Sequence, residues 1–276
     1  MNNKILIMAH RGASFHAPEN TKAAFLKAPE LGADGIETDM QLTADGKIVL
    51  HHNYYIDNTS DGNGAILLKT LKELKSYDFG SYKGEAFQGE RILTLEELLP
   101  LLRDMEIINL ELKSPLDKSV DFVGKILKIV DKSGLKEEQV MFSSFDAKLL
   151  GKIKKKSSYR VGLLTFQEKA QSMRRELAAS MAASYPVKDV EKLLVNAGKS
   201  YDLVQLVDEL DYKPDFLHPD YHSVLEKPEL VSEMHERGIG VNPYTCDNAD
   251  DIAALVQAGC DGIITNRPDI ARSVIG

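Results

Sequence analysis

The run Ile5-Leu6-Ile7-Met8-Ala9 is apolar without a break and stops on His10-Arg11-Gly12. An unbroken apolar run of this length reads as a strand buried on both faces, as in a parallel sheet covered by helices. Its abrupt polar end puts an imidazole and a guanidinium where the strand leaves the core. The same arrangement recurs in Gly35-Ile36-Glu37-Thr38-Asp39, in Ile48-Val49-Leu50-His51-His52 and in Ile107-Ile108-Asn109-Leu110-Glu111-Leu112-Lys113. Histidines, three carboxylates, one arginine and one lysine thus lie at or near strand ends. Such a chain has to bring several buried strands side by side with their ends converging.

Further strands are predicted at 140–145, 160–164, 215–219, 239–244 and 262–266, with amphipathic helices such as 120–132 and 249–257 between several of them. With 5–10, 35–42 and 107–113 the parallel strands number eight. Eight strands alternating with helices over a chain of 276 residues predict an α/β fold, a TIM (β/α)8 barrel occupying 1–276 as a single domain. In such a barrel the active site lies at the C-terminal ends of the strands. Pro18-Glu19-Asn20-Thr21 opens a helix whose inner stripe is Ala24, Phe25 and Leu31 and whose end is Gly32. The segment 167–213 is too long for a simple crossover, and its helices are assigned only loosely.

Asp45-Gly46 between two strand-like runs is a hairpin signal, so 48–52 returns antiparallel to 35–42. A two-residue loop would pair Leu42 with Val49 and Asp39 with His52. That register places Glu37, Asp39 and His52 on one surface and points His51 the other way. Residues 53–106, punctuated by Asp61-Gly62-Asn63-Gly64, Gly80, Gly84 and Gly89 and carrying short helices near 71–77 and 95–102, read as a small insertion subdomain after this hairpin.

The formal net charge of -8 argues against nucleic acid or an anionic membrane as a general partner. No stretch approaches the ~20 apolar residues of a membrane span. The few apolar residues after Met1-Asn2-Asn3-Lys4 are too short for a signal sequence, so a cytoplasmic protein without stable membrane insertion is expected. Cys246 and Cys260 have no metal-binding spacing and are expected as reduced thiols. Oligomeric state leaves no readable mark.

Glu37, Asp39 and Glu111 form an oxygen-only set suited to one hard divalent cation, Mg²⁺ or Ca²⁺. Arg11 and Lys113 supply positive charge beside them, as a phosphate whose charge rises in the transition state requires. His10 and His52 are the natural acid and base, because imidazole exchanges a proton near neutral pH. The remaining histidines, 16, 51, 218, 222 and 235, read as surface or structural, although His218 beside Pro219 could line the pocket.

These residues, in their motifs, resemble a known family. His10-Arg11-Gly12, Pro18-Glu19-Asn20-Thr21, Glu37-Thr38-Asp39, His52-Asn53 with Ile56-Asp57 and Gly62-Asn63-Gly64, Glu111-Leu112-Lys113, Ser144-Phe145-Asp146 and Gly262-Ile263-Ile264-Thr265-Asn266-Arg267-Pro268 closely resemble the glycerophosphodiester phosphodiesterase family, in order and over essentially the whole chain. The resemblance implies a TIM barrel with a small insertion and metal-dependent hydrolysis of glycerophosphodiesters to sn-glycerol 3-phosphate and an alcohol. By motif position it implies His10 and His52 as the acid–base pair, Glu37, Asp39 and Glu111 as metal ligands, and Arg11 and Lys113 as phosphate contacts. Asn53 stands where the family usually has Asp, Asn58 where it often has Arg, and Tyr244-Thr245-Cys246-Asp247 where it often has Trp-Thr-x-Asn. Two other readings remain: lysophospholipase D-like action on lipid diesters, and a non-catalytic phosphate-binding barrel.

Overall fold

The apolar runs form strands because each buries one set of alternate residues in the lumen of a barrel and the other set under helices. A computed structural model describes residues 4–115, 117, 119–166 and 202–276. Among them the strands are β1 (Leu6–His10), β2 (Gly35–Leu42), β3 (Ile48–Leu50), β4 (Ile107–Leu112), β5 (Val140–Ser144), β6 (Arg160–Thr165), β7 (Phe216–Pro219), β8 (Gly240–Val241) and β9 (Gly262–Thr265). The α-helices are α1 (Lys22–Glu30), α2 (Leu71–Leu74), α3 (Leu95–Leu98), α4 (Phe122–Asp131), α5 (Ala147–Lys156), α6 (Leu203–Asp208), α7 (Tyr221–Glu226), α8 (Glu229–Glu236), α9 (Ala249–Ala258) and α10 (Pro268–Ile275). The expected helices within 167–201 lie outside the described residues.

Neighbouring strands follow the order β8-β7-β6-β5-β4-β2-β1-β9 with every pair on this path parallel, while β3 hangs antiparallel on β2. Across the seam, the N–H groups of Asp261 and Ile264 donate to Val241 and Pro243 carbonyls at 2.9 and 3.0 Å, and Cys246 N–H donates to Ile264 at 3.1 Å. The result is a nearly closed barrel of eight parallel strands, as the strand pattern predicts. Met8, Ile107, Met141 and Ile264 pack together as one lumen cluster. Ile7, Ala9, Ile36, Ile108, Leu110 and Phe142, of opposite parity, belong to the layer under Phe25, Ile126, Leu150 and Ile252 of the helices.

Strand ends differ from the sequence-based ranges by a residue or two, with the largest change at β8, which spans two residues instead of six. The hairpin differs more. Its loop has three residues, because Thr43 N–H donates to Lys47 O at 3.0 Å and Gly46 takes a left-handed φ of 72°. Thr43 Oγ1 donates to Asp45 Oδ1 at 2.7 Å and accepts from Lys47 N–H, so the aspartate is used inside the turn instead of forming a two-residue corner. The register is therefore Met40 with Leu50 and Leu42 with Ile48, and His51, not His52, donates its N–H to Asp39 O. The expected pairing of Asp39 with His52 is corrected by one residue.

Beyond β3 the chain folds over Ile56, Ile66, Leu74, Phe79 and Ile92, which cluster with Val49 of β3. Within this stretch the Asp78 carboxylate accepts from Gly80, Ser81 and Gly89 N–H groups at 2.7 to 2.9 Å. The stretch also reaches the loop after β1, where Tyr82 Oη accepts from Glu19 N–H and Lys83 Nζ donates to Ser14 O. No helix among the described residues is long and apolar enough to cross a membrane.

Candidate active site

Glu37 and Asp39 lie two apart on β2 and Glu111 lies opposite Asp39 on β4, so strand parity turns all three carboxylates toward the same mouth. One oxygen from each lies within 4.8 Å of the others, and all three residues are buried. Lys113, just past β4, puts Nζ 2.9 Å from Asp39 Oδ1 and 2.6 Å from Glu111 Oε1. Arg11 leaves β1 in a left-handed conformation with φ 58°. Its N–H donates to Glu37 Oε2 at 3.0 Å, and its guanidinium lies 3.1 Å from Glu19 and 3.5 Å from Asp39. Gly12 follows with φ 80°, where a Cβ would come 2.7 Å from the Ala24 backbone, so only glycine lets α1 lie this close to the loop.

The Pro18-Glu19-Asn20-Thr21 motif resolves into parts. Thr21 caps α1. Asn20, with φ 56°, donates its amide to Asp39 Oδ2 at 2.9 Å and accepts from Thr38 Oγ1 at 2.7 Å. Glu19 is the counter-ion of Arg11.

His10 ends β1. Its Nδ1 lies 2.7 Å from Asn266 Oδ1, and its Nε2 lies 3.9 Å from Glu37. Asn266 is itself held, because Asp247 accepts from its backbone N–H at 2.8 Å and from its Nδ2 at 2.7 Å. With the amide nitrogen committed to Asp247, Asn266 presents its oxygen to the ring, so Nδ1 carries the proton and Nε2 is the free base. His52 has the same arrangement on another support, with Nδ1 2.8 Å from Asn53 Oδ1. Although the register places His51 opposite Asp39, His52 feels the charges of Arg11, Lys113 and Asp39. It therefore reaches the site from beyond the strand, where the chain bends.

Burial dominates the electrostatics. Desolvation, helped by Arg11, lowers the His10 pKa to about 4, and desolvation with Arg11 and Lys113 holds His52 well below its usual value. Desolvation and the two neighbouring carboxylates raise Glu37, and desolvation above all raises Glu111 to about 7. Burial works in the same direction on Asp39, but Lys113, His52 and Arg11 outweigh it and keep this carboxyl well below the ordinary range.

All seven residues singled out from the sequence thus gather at one mouth. Arg11 and Lys113 are paired there with the carboxylates. His218 is fully buried beneath the mouth, with Nε2 3.2 Å from Asn242 Nδ2, and is not a pocket-lining residue. His51 is buried between Asn53 O and Thr59 Oγ1, each 2.7 Å from a ring nitrogen. His16, His222 and His235 pair with Asp269, Asp220 and Asp261. Cys246 and Cys260 are free, and desolvation pushes both thiols up to about 12. Sequence reasoning gave no role to Asn20, Gln41, Asp247 or Asn266. Nor did it foresee that Phe145 and Phe166, just past β5 and β6, stack at 4.4 Å, with Tyr244 edge-on to Phe145 at 6.0 Å.

A parallel barrel that carries an acidic triad, two imidazoles and two cations at its C-terminal mouth has the make-up of a barrel-fold phosphohydrolase. Residues 10–270 match the model of the glycerophosphoryl diester phosphodiesterase family. The chain belongs to that family and is an enzyme of this class. A glycerophosphodiester phosphodiesterase of Caldanaerobacter subterraneus subsp. tengcongensis is 36% identical over 274 residues, covering 99% of this chain and 98% of the relative. One from Bacillus subtilis is 30% identical over 285 residues, covering 99% and 87%. Among solved structures, an Oleispira antarctica phosphodiesterase in complex with the product sn-glycerol-3-phosphate is 25% identical with a TM-score of 0.75, covering 98% of this chain and 96% of that one.

Proposed function

We propose that this mouth hydrolyses glycerophosphodiesters to sn-glycerol 3-phosphate and an alcohol, with a divalent cation, Mg²⁺ or Ca²⁺, on Glu37, Asp39 and Glu111. The observation that carries the reading is the buried triad. Arg11 and Lys113 offset three carboxylates packed this closely in low dielectric only in part, since Glu37 and Glu111 stay raised beside them, and Glu37 Oε1 has no hydrogen-bond partner among the described residues. The donors are all oxygen, which fits either ion. When bound, the cation neutralises charge on the phosphodiester and polarises its P–O bonds.

Arg11 and Lys113 hold the phosphate from the sides and stabilise the charge that grows on its oxygens. His10 and His52, each with Nδ1 tied to an amide oxygen, present Nε2 for proton transfer. One takes the proton of the attacking oxygen as the new P–O bond forms, and the other gives a proton to the alcohol as the old P–O bond breaks. Desolvation favours the neutral, proton-accepting imidazole, and the bound anionic diester shifts its partner toward the protonated donor. On this reading the chain acts as one barrel domain with 53–106 as its insertion, and needs neither nucleic acid nor membrane insertion.

The test is release of glycerol 3-phosphate from glycerophosphocholine, glycerophosphoethanolamine and glycerophosphoglycerol, with and without EDTA. His10→Ala and His52→Ala should each lose about 10²- to 10⁴-fold in kcat. A native protein inactive on all three diesters, or indifferent to EDTA, sinks the reading. A second reading is action on lysophospholipids, favoured by two exposed aromatics on this side of the barrel, Phe15 after β1 and Tyr82, whose Oη accepts from Glu19 N–H. Choline release from lysophosphatidylcholine faster than from glycerophosphocholine would select it.

A further inference from the structure

Pairing on β2 gives β3 a register that puts His51 opposite Asp39, yet the ring of His51 is spent on Asn53 O and Thr59 Oγ1, while Arg11, Lys113 and Asp39 all act on His52. Something other than the ladder turns the chain. Gln41 lies on the same face of β2 as Glu37 and Asp39, two residues further on, and is 4% exposed. Its Nε2 lies 2.7 Å from His51 O, 3.1 Å from His52 O and 2.7 Å from Asn53 O. Three carbonyls facing one atom fix the amide orientation, since carbonyl oxygens only accept.

His51 completes the clasp. It brings Nδ1 to the same Asn53 O at 2.7 Å, while its Nε2 is tied to Thr59. The carbonyls before, at and after His52 are thereby held in one short arc. Asn53, at the end of that arc, sets its side-chain oxygen 2.8 Å from His52 Nδ1. The backbone on both sides of His52 is thus held by the buried Gln41 carboxamide together with the His51 ring, and the tautomer of the His52 ring by Asn53 at the end of the same arc.

We propose that Gln41 is a positioning residue for His52, which fixes the direction of the imidazole by clasping the carbonyls of residues 51–53. The catalytic meaning rests on the reading of His52 given above, but the placement of the ring does not. Gln41→Met keeps the length and unbranched shape of the side chain and removes the donors. Gln41→Glu keeps the shape and replaces the donors with acceptors. Both are compared with the native protein by kinetics on glycerophosphocholine, by long-range ¹⁵N–¹H spectra of the His52 ring, and by thermal melts.

The expected result is a kcat loss of about 10- to 100-fold with KM within about twofold, because a small misdirection of a reacting group costs this much. The His52 spectrum should change from one Nδ1-protonated tautomer to an average of two. In a His52→Ala background the same substitutions should cost almost nothing further, since their effect passes through the missing ring. A loss equally large in that background, or an unchanged His52 spectrum in folded Gln41→Met or Gln41→Glu, overturns the proposal. If the native protein hydrolyses no diester, the functional reading falls while the ring spectrum still decides the role of Gln41.

Discussion

His10 ends a strand hydrogen-bonded on both sides, β2 on one flank and β9 on the other. His52 lies two residues beyond β3, a three-residue strand paired with β2 on one flank and bridged on the other to residues 93–94, through Val49 opposite Thr94 and Leu50 N–H donating to Leu93 O at 2.9 Å. The two rings nevertheless end in matching states, each with Nδ1 against a side-chain amide oxygen, at 2.7 and 2.8 Å. On the His10 side the support is built from strand ends and an anion: Asp247 fixes Asn266, and Ser14 Oγ donates to the same Asn266 oxygen at 2.7 Å. On the His52 side it is built from neutral amides and carbonyls. Each ring is thus aimed by a side-chain amide oxygen, but the backbone that carries His10 is set by strand pairing on both flanks, whereas the backbone that carries His52 is set by the side chains of Gln41 and His51.

The comparison is broken most directly at the two amides. Asn266→Leu should lower kcat on glycerophosphocholine by about 100-fold, because it frees His10 Nδ1 and removes the amide that Asp247 orients, although Asp247 keeps Thr265 Oγ1 and the backbone N–H of residue 266. Asn53→Leu should cost about 10-fold, since the carbonyl clasp still holds the backbone around His52. Equal losses in steady-state assays would mean that the anion on the His10 side adds nothing.

Two glycines sharpen the contrast at the level of stability. Gly12→Ala, on the His10 side, forces a Cβ to 2.7 Å from the Ala24 backbone at a φ of 80°, and should cost about 3 kcal/mol in urea unfolding. Gly46→Ala, in the hairpin that leads to His52, has a φ of 72° but meets only the mobile end of Lys125 at 3.1 Å, so about 1 kcal/mol is expected. A larger loss at Gly46 would mean that the hairpin, not the β1–α1 junction, is the rigid side.

The same contrast explains what could be read from the sequence. Strand ends advertise themselves, because an apolar run that stops on a polar residue marks both the element and the side chain it delivers. His10, Glu37, Asp39, Glu111 and the barrel were legible for that reason. The register of β3 was not, because whether Asp45-Gly46 makes a two- or three-residue loop depends on where the Asp45 carboxylate goes, and it binds Thr43 Oγ1 and Leu71 N–H. Gln41 was invisible for a deeper reason: its partners are backbone carbonyls, which every residue has. His218, read as structural but also as able to line the pocket, kept both readings open because a histidine at a strand end reads the same whether its ring faces the mouth or the packed lumen.

The smallest expected effect concerns the triad that both histidines face. In metal-free protein Glu111 is raised to about 7 and Glu37 is raised as well, against about 4.3 for an unfolded glutamate. The folded state then binds protons more tightly than the unfolded chain. The stabilisation is complete below about pH 4.3 and is lost as pH rises through about 7. Asp39, held low, acts with the opposite sign only under acid conditions, but His10, His51, His52 and His218, all lowered by burial, oppose the glutamates between pH 5 and 8, since they favour the fold more as pH rises through about 6.5. In EDTA the share of the glutamates is therefore read by difference: from pH 5 to pH 8 the melting temperature of the native protein should fall by about 2–4 °C relative to that of Glu111→Gln, in which the histidines still titrate. Saturating Mg²⁺ or Ca²⁺ should flatten or reverse that relative fall, because the cation takes the place of the protons and binds more tightly as they leave. No such difference between the native protein and Glu111→Gln in EDTA would show that Arg11 and Lys113 already satisfy the carboxylates, and that the triad does not wait for a cation.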